Sequence, residues 1–289
     1  MTPASTSRTT AALLCASLSL AGCAPQALRP AWVSALSFAW APRSPPRAPL
    51  GSKAPELDLA AFRAARDRLL ALRGEAAAPR TLRVAIALRE PFTGRTLEAR
   101  GALAASPPSA LRMILLGPGG TTALDLWLAQ ERYRFAVPAI DLLRRGDARQ
   151  DPAARRGLPV DFLRWWLLRP AEGSLLWAAR RGAALHLLLR DDAALIDLFA
   201  EPSGKLTARR ATYAPAPHPE GKASRKPSRL LDEEYVVADA PGCAEVHYYQ
   251  ASTGLEVTVR CEGDDRAPPN PRAFVDPDAP DDVTAGEAP

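Results

Sequence analysis

The stretch "LRMILLGPGGTTALDLWL", residues 111–128, decides the fold. In it, two segments of alternating apolar residues flank a glycine-rich loop at residues 117–120. A phosphate-binding loop of the Walker type would need a Lys and a Ser or Thr that open a helix, but Thr121 and Thr122 lead into alternating leucines instead. The pattern therefore predicts a β-hairpin whose tip is formed by residues 117–120.

The same alternation recurs along the chain, and it is typical of an antiparallel sheet with one apolar face. It predicts about 11 to 12 strands, which are interrupted by a polar break at residues 144–157. A last strand or edge piece is predicted near "RAFVDP", residues 272–277. The predicted strands are residues 82–88, 96–104, 110–116, 123–129, 133–137, 174–180, 183–190, 194–200, 205–213, 233–239, 243–250 and 255–261.

Two helices are predicted to cover the sheet. The first, residues 55–74, opens with Pro and acidic residues and ends at a Gly. The second lies in "GLPVDFLRWWLLRP", residues 157–170, where only Asp161 and Arg164 are charged between residues 158 and 168. Because this second helix is apolar nearly all round, it must be largely covered. The apolar face of the first helix is Leu59, Phe62, Ala65, Leu69 and Leu72.

The N-terminus carries an export signal. Residues 1–22 hold one positive charge, an apolar core too short to span a bilayer, and small residues at the end. The run Leu-Ala-Gly-Cys that ends at Cys23 looks like the lipobox of bacterial lipoproteins, in which cleavage leaves an N-terminal cysteine carrying acyl chains such as palmitate. Ala24 follows Cys23, and in having no Asp at this position the chain resembles outer-membrane lipoproteins. We therefore expect Cys23 to anchor the chain to the periplasmic side of the outer membrane.

The remaining chain divides into three parts. Residues 23–54 are Pro-rich and predict a tether behind the acylated cysteine. Residues 55–275 are predicted to form one domain, and residues 276–289 an acidic, disordered tail. One part of the tether is atypical: "AWVSALSFAW", residues 31–40, is apolar, and it is expected either to lie on the membrane surface or to pack on the domain.

The charge is unevenly distributed. Residues 262–289 hold eight acidic and two basic residues, so residues 23–261 carry a net charge of about +10. Such an Arg-rich body favours anionic partners of the cell envelope, such as lipid headgroups. Nucleic acid is not an expected partner, because the chain is exported and has no recognition motif for it.

Two cysteines remain after signal removal and acylation of Cys23, and in an oxidising compartment Cys243 and Cys261 predict a disulfide. They flank two alternating strands around a Ser-Thr-Gly turn. Pairing of Val246 with Val259 would place the two sulfurs on opposite faces unless a bulge shifts the register. The three histidines lack metal-ligand spacing, so we predict no metal site and no cofactor.

The order of elements resembles the LolA and LolB family of lipoprotein-localisation carriers, and most of all LolB, which is itself an outer-membrane lipoprotein. The resemblance covers about residues 56–275 and rests on one helix, five strands, an apolar helix after a polar break, and further strands. At the level of residues, 111–128 resembles the family's Pro-Gly hairpin, and 157–170 resembles its Pro-initiated, Trp-containing lid helix.

The resemblance implies a mainly β (α+β) fold, an incomplete antiparallel β-barrel whose apolar face is capped by helices and holds the acyl chains of a client lipoprotein. The residues alone leave two alternatives open, because apolar strand faces enclose either a ligand cavity or a filled core. The residues expected to line the hydrophobic interior are Val84, Ile86, Leu124, Leu126, Tyr133, Phe135, Phe162, Trp165 and Trp166.

The hairpin tip departs from the family pattern. LolB-like proteins present a Leu just after the tip Pro, and that Leu dips into the target bilayer, whereas this chain has Gly119 there. We predict a membrane-facing loop of Leu116, Pro118 and Gly119. A Leu buried in the interface contributes roughly 1.5–3 kcal/mol, which Gly lacks. Lipoprotein insertion should therefore be weak or absent, and either Leu115 and Leu116 reach the bilayer instead or the function has shifted to binding or assembly.

These observations predict an outer-membrane-anchored periplasmic lipoprotein that binds acyl chains or lipoprotein clients, as a chaperone in their transport to or insertion into the outer membrane. The alternative is a structural or assembly lipoprotein that uses the same fold to bind an envelope partner protein. No enzymatic activity is predicted, because Gly-x-Ser-x-Gly and His-Glu-x-x-His motifs are absent from the sequence. Asp191 and Asp192 are interpreted as a solvated hairpin turn.

Overall fold

The alternating segments form one antiparallel sheet. The computed structural model describes residues 29–36, 58–89, 94–147, 157–169, 171–191, 194–214, 230–239, 244–265 and 267–279. Thirteen strands lie within these ranges. They are β1 (Arg80–Arg89), β2 (Thr96–Ser106), β3 (Ala110–Leu116), β4 (Thr122–Ala129), β5 (Arg132–Val137), β6 (Leu142–Asp147), β7 (Ser174–Arg181), β8 (Ala184–Asp191), β9 (Ala194–Ala200), β10 (Leu206–Tyr213), β11 (Leu230–Ala238), β12 (Val246–Gln250) and β13 (Glu256–Asp265).

The strand order makes the sheet an incomplete barrel. Along the sheet the strands follow the order β6-β5-β4-β3-β2-β1-β13-β12-β11-β10-β9-β8-β7, so the first and last strands of the chain pair at the centre. β6 and β7 are its two edges, and the barrel therefore stays open. The predicted fold class, an unclosed antiparallel β-barrel with few helices, is confirmed.

The strand count differs from the prediction by one, because β6 lies at the start of what the sequence presents as a polar break. β6 pairs only with β5, from Val137 opposite Leu142 to Arg132 opposite Asp147. An edge strand needs one hydrogen-bonded neighbour, and charged side chains are common on it because they discourage further pairing. Residues Pro271–Phe274, predicted as a strand or edge piece, form a turn of 3₁₀ helix instead.

One face of the sheet, here called the inner face, carries a continuous apolar core. Leu82, Val84 and Ile86 of β1 lie on it, and Leu103 of β2 and Val259 of β13 are among their neighbours in the core. The apolar core continues on this face along the sheet to β8, where Leu187 and Leu189 are fully buried. The opposite face is called the outer face below.

Helix α2 (Leu59–Ala76) packs on the inner face and contacts β7 and β8. Its N-terminus differs from the prediction: Asp58 is the N-cap, and its carboxylate accepts a hydrogen bond from the backbone N–H of Ala61 at 2.9 Å. The helix also runs two residues past the predicted end at Gly74. Ala65, Leu69 and Leu72 are buried as predicted, but Leu59 is largely exposed because it lies in the first turn, before the helix reaches the sheet.

Two further helical segments complete the described chain. A short helix α1 (Ala31–Ser34) lies in the predicted tether. The predicted apolar helix is α3, which consists of an α-helical turn at Val160–Leu163 and a π-helical turn at Arg164–Leu168. Its apolar side chains enter the inner-face core, as its sequence requires. None of the helices in the described ranges has both the length and the apolar character needed to cross a membrane.

Candidate functional site

The inner face brings the predicted interior residues together. Five of them are buried in one core on β1, β4 and β5: Val84, Ile86, Leu126, Tyr133 and Phe135. Leu124, near the start of β4, packs against this core. From α3, Phe162 and Trp166 are buried in the same cluster, and Trp165 is partly buried against it. All nine residues therefore belong to one apolar cluster, and whether that cluster binds a ligand stays a prediction.

α3 lies across this cluster as a lid. The ring of Phe162 stacks on the ring of Tyr248 in β12, with centroids 4.5 Å apart and planes 19° apart. Such a geometry adds roughly 0.5–1.5 kcal/mol beyond the area that the rings bury. The next turn carries Trp165 and Trp166, whose rings are 6.2 Å apart and tilted. The lid thus contacts the sheet through aromatic rings.

A polar cluster lies beneath the lid at the β10–β12 side of the inner face. A guanidinium nitrogen of Arg210 donates to Glu234 at 2.8 Å, and the hydroxyl of Tyr248 donates to the other carboxylate oxygen at 2.8 Å. Asp191 lies 3.5 Å from Arg210. Asp191 ends β8 opposite Ala194 of β9, at the hairpin position that the sequence predicts, and its carboxylate is 21 % exposed. It is an ion-pair partner of Arg210 as well as a turn residue, and Asp192 lies outside the described residues.

Burial dominates the protonation behaviour of this cluster. It raises the pKa of the Glu234 carboxyl, against the attraction of Arg210, and it raises the pKa of Tyr248 well above 10, in the same direction as the effect of the neighbouring Glu234. For Arg210, burial is the largest effect and alone would lower the pKa, but the hydrogen bond to Glu234 and the attraction of Glu234, Asp161 and Asp191 together raise it. The cluster is therefore stable only while Arg210 and Glu234 stay paired.

The space between lid and sheet is small. Asp161, Phe162, Trp165 and the polar cluster enclose a cavity of about 10 Å³. This volume is at the lower limit for a single water molecule. Among the described residues, the indole N–H of Trp165 has no hydrogen-bond partner although it is buried. In this conformation the side chains of the lid fill most of the space between α3 and the sheet.

Polar contacts hold both ends of the lid. Arg169 donates to one carboxylate oxygen of Glu131 at 2.7 Å, and a guanidinium nitrogen of Arg164 lies 2.7 Å from the other oxygen. Glu131 is in the tight turn between β4 and β5, with a φ of 69°. Before the lid, the backbone N–H of Gly157 donates to the side chain of Gln250 at 3.0 Å. The lid is thus attached to two separate parts of the sheet.

The predicted hairpin tip is confirmed by the pairing of β3 with β4. Pro118–Gly120 form a single 3₁₀ turn, and Gly119 has a φ of 79°, a left-handed conformation that favours glycine. Pro118 and Gly119 are exposed, and Leu116 is 45 % exposed. The prediction that Leu115 reaches the bilayer is wrong, because strand alternation turns its side chain into the core.

The sequence left the register of the last hairpin open, and the structure pairs Val246 with Val259 and Tyr248 with Val257. Cys261 is on the inner face, packed against the core, and is disulfide-bonded. Cys243 lies outside the described residues, so its pairing with Cys261 stays a prediction. Cys23, the predicted acylation site, also lies outside them.

The apolar patch of the tether packs on the domain rather than standing free. Val33 of α1 is buried against Tyr235 and Tyr249 on the outer face of β11 and β12. The indole N–H of Trp32 donates to Glu256 of β13 at 3.0 Å, and the guanidinium of Arg29 lies 5.7 Å from the ring centre of Tyr235. Residues 37–40 of the patch lie outside the described residues.

The acidic C-terminal segment folds back on the other half of the outer face. Arg134 donates to Asp278 at 2.8 Å, and Arg132 lies 3.3 Å from Asp276. The indole N–H of Trp127 donates to the backbone oxygen of Phe274 at 2.9 Å. Asp276 and Asp278, the first two acids of the predicted disordered tail, are therefore ordered against the sheet, and the prediction of disorder is wrong for them. Residues 280–289 lie outside the described residues.

No cluster of three or more His, Cys, Asp or Glu residues suited to a metal ion occurs in the described part of the chain. His186 is 3.1 Å from Asp197, and His247 lies between Glu245 and Thr258, at 3.1 Å from each. Both histidine rings are therefore held by polar contacts on the outer face, which indicates a structural role.

Comparison with known proteins concerns the fold. No protein-family model and no curated protein sequence matches the chain. Among solved structures, a LolA superfamily protein from Nitrosomonas europaea is 11 % identical with a TM-score of 0.43, and the match covers 73 % of this chain and 97 % of that one. In fold, this chain is similar to LolA superfamily proteins.

Two other solved structures are similar in the same way. An outer membrane lipoprotein-sorting protein domain from Vibrio parahaemolyticus is 9 % identical with a TM-score of 0.40, over 72 % of this chain and 95 % of that one. A DUF1329 family protein from Desulfovibrio piger is 8 % identical with a TM-score of 0.42, over 75 % and 98 %. With TM-scores below 0.5, these similarities carry no functional argument.

Proposed function

We propose that this protein is an outer-membrane-anchored periplasmic lipoprotein that binds acyl chains, or lipoprotein clients through their acyl chains, on the inner face beneath α3. The observation that carries the proposal is the way in which the lid meets the sheet. Phe162 lies on Tyr248 of β12, and both Phe162 and Trp166 belong to the same apolar cluster as a wall of Leu, Ile, Val, Tyr and Phe side chains on β1 and β3–β5. An acyl chain presents the same apolar methylene surface as these lid side chains, so it can replace them on the wall.

Replacement requires the lid to move, since the cavity of about 10 Å³ is far too small for an acyl chain. The lid is short, and the contacts that hold its far end are the ion pairs of Glu131 with Arg164 and Arg169. Each buried methylene of a ligand contributes about 0.8 kcal/mol. A long acyl chain thus supplies enough free energy to offset a few such contacts.

The test is uptake of a fatty acid by purified protein. Native mass spectrometry should detect bound acyl chains, and a fatty-acid titration should shift the emission of Trp165 and Trp166 as the lid leaves the wall. Phe162→Ala should increase uptake, because it removes a lid ring that competes with the ligand. Phe199→Ala is the matched control, since Phe199 stacks on His186 on the outer face, with ring centres 4.2 Å apart.

Loss of a buried Phe ring costs about 3–5 kcal/mol, so folding of both variants is checked by thermal unfolding. Glu131→Gln, which weakens the lid without opening a cavity in the core, gives a second measurement. If neither the wild type nor either lid variant takes up an acyl chain, the inner face is an ordinary filled core. The function of an envelope assembly lipoprotein then replaces the one proposed here.

The anchor is tested separately. Cys23→Ala should move the protein from the membrane fraction to the soluble periplasmic fraction, because acylation of Cys23 is the proposed attachment. A wild-type protein that is already soluble after lysis contradicts the anchor and leaves acyl binding by the inner face untouched.

A further inference from the structure

The docked α1 segment sits close to the proposed anchor. Arg29 is only six positions after Cys23, and it contacts Glu233 of β11 at 3.4 Å. Six residues reach at most about 20 Å when fully extended. An acyl anchor at Cys23 is therefore held within about 20 Å of the outer face of β11, and not at the end of a 32-residue tether.

The strand registers show at which end of the sheet this docking site lies. Glu256, which accepts the indole N–H of Trp32, is the first residue of β13, and it pairs with Arg89 at the end of β1. Arg89 pairs with Thr96 at the start of β2. β3 ends on the same side, where Leu116 lies opposite Arg100. We call these neighbouring strand ends, together with the 117–121 tip, the anchor rim.

The anchor rim is compact. β13 and β3 are three strand spacings apart, which is about 14 Å. The docked Trp32 and the hairpin tip thus lie on one side of the sheet, within a distance that the six residues behind Cys23 can span. A membrane that holds the anchor lies next to this rim.

The side chains of the rim suit such a surface. Leu97 is 63 % exposed and Leu116 is 45 % exposed, so both present apolar side chains to the surroundings at the rim. Beside them, the outer face has a groove of about 600 Å³ that is lined by three exposed arginines, Arg83, Arg100 and Arg260. Glu98 and Glu262 also line it, and Glu262 lies 3.3 Å from Arg100. The arginines outnumber the acids.

We infer that α1 is a clasp that orients the domain on its membrane, with the anchor rim and its arginine groove facing the anionic headgroups of the bilayer that holds Cys23. The inference rests on the proposed acylation of Cys23. Exposed leucines enter the interface, the arginines bind phosphate groups beside them, and α1 keeps the short lipid link over this side of the sheet. The acyl-less protein tests whether the rim binds anionic lipid, and the acylated protein tests whether α1 orients the domain on the membrane.

The first test removes the anchor and measures the surface. The mature chain with Cys23→Ser is floated with vesicles of phosphatidylethanolamine and phosphatidylglycerol, and with vesicles of phosphatidylcholine alone. The triple variant Arg83→Gln, Arg100→Gln, Arg260→Gln should lose on the order of 100-fold in affinity for the anionic vesicles. The control, Arg63→Gln, Arg66→Gln, Arg180→Gln, changes the net charge equally at exposed positions and should lose little. Equal loss in both triples, or no wild-type preference for anionic vesicles, overturns the inference.

The second test uses acylated protein in vesicles that contain a headgroup-labelled quencher lipid. A fluorescent non-natural residue at position 97 should be quenched more than one at position 181, which ends the edge strand β7. Combining Trp32→Ala with Val33→Ala should reduce this difference while the protein stays membrane-bound. Equal quenching at both positions overturns the inference. Failure of acylation would appear instead as absence from the vesicles, and failure of acyl binding would appear only in the fatty-acid titration.

Discussion

Replacing Glu131 by Gln should loosen the lid and leave the sheet intact. The carboxylate is 15 % exposed, and it lies 2.7 Å from Arg164 and 2.7 Å from Arg169, each 20 % exposed. Gln keeps the shape of the side chain and one acceptor oxygen but removes the charge. Exposed ion pairs contribute about 0.2–1 kcal/mol, and breaking a buried pair costs about 3–5 kcal/mol. Because these groups are mostly but not fully buried, we expect the lid to lose about 1–3 kcal/mol.

Hydrogen exchange measures this loss locally. The amide of Leu163 donates to the oxygen of Pro159 and that of Arg169 to the oxygen of Arg164, both at 3.0 Å, so both report opening of the lid. A loss of 1–3 kcal/mol speeds their exchange about 5- to 150-fold. Amides of β1 and β13, at the centre of the sheet, should exchange as in the wild type.

A matched control separates the effect of the Glu131 ion pairs from the effect of losing any negative charge near the lid. Glu172→Gln removes a carboxylate that contacts Arg169 at 3.2 Å but is 40 % exposed, so lid exchange should change less than about threefold. Unchanged lid exchange in Glu131→Gln would show that the two ion pairs contribute nothing. Equally faster exchange in β1 and β13 would show that the lid does not open independently of the sheet.

Three further predictions concern other parts of the molecule. Burial raises the pKa of Tyr248 well above 10, so the folded state keeps the phenol proton while the unfolded state loses it near pH 10. The free energy of unfolding should therefore fall as the pH rises above 10. Absorbance of a Tyr248 tyrosinate near pH 10 in the still folded protein would contradict this. Cys243 and Cys261 should form a disulfide whose reduction lowers the free energy of unfolding by about 3 kcal/mol, and alkylation of both thiols without reductant would refute the pairing. Gly119→Leu should strengthen liposome binding of acyl-less protein, but its φ of 79° adds strain of roughly 1–2 kcal/mol, so Thr121→Leu, at a φ of −75°, is the cleaner variant. If the unmodified protein already delivers a lipoprotein to liposomes as fast as either Leu variant, the glycine at the tip is irrelevant.

The apolar face of the sheet was predictable from the sequence because strand alternation is local. Residues two apart share a face, so Leu82, Val84 and Ile86 point to one side whatever the rest of the chain does. The lid was predictable for a similar reason, since a short apolar segment between prolines must be covered. Both features came from sequence windows shorter than about twenty residues.

The polar cluster under the lid was not predictable in this way. In the sequence, Arg210 and Glu234 look like ordinary polar residues of a strand, and the 23 residues between them include a basic, Pro-rich stretch at residues 214–229. Only the pairing of β10 with β11 places Glu234 opposite Arg210, and only the lid excludes water from the pair. Burial then changes their chemistry, because removing water is what raises the pKa of Glu234.

The sequence by itself determined the strands, their apolar face, the lid helix and the hairpin tip, since each depends on side-chain spacing within one segment. Tertiary structure alone decided that β6 forms an edge, that the lid fills the space beneath it, and that both ends of the described chain pack on the outer face. Arg29 and Glu233 are 204 residues apart, and Trp127 and Phe274 are 147 apart. Contacts at such separations leave no periodic pattern in the chain, because they depend on where the whole sheet brings each surface.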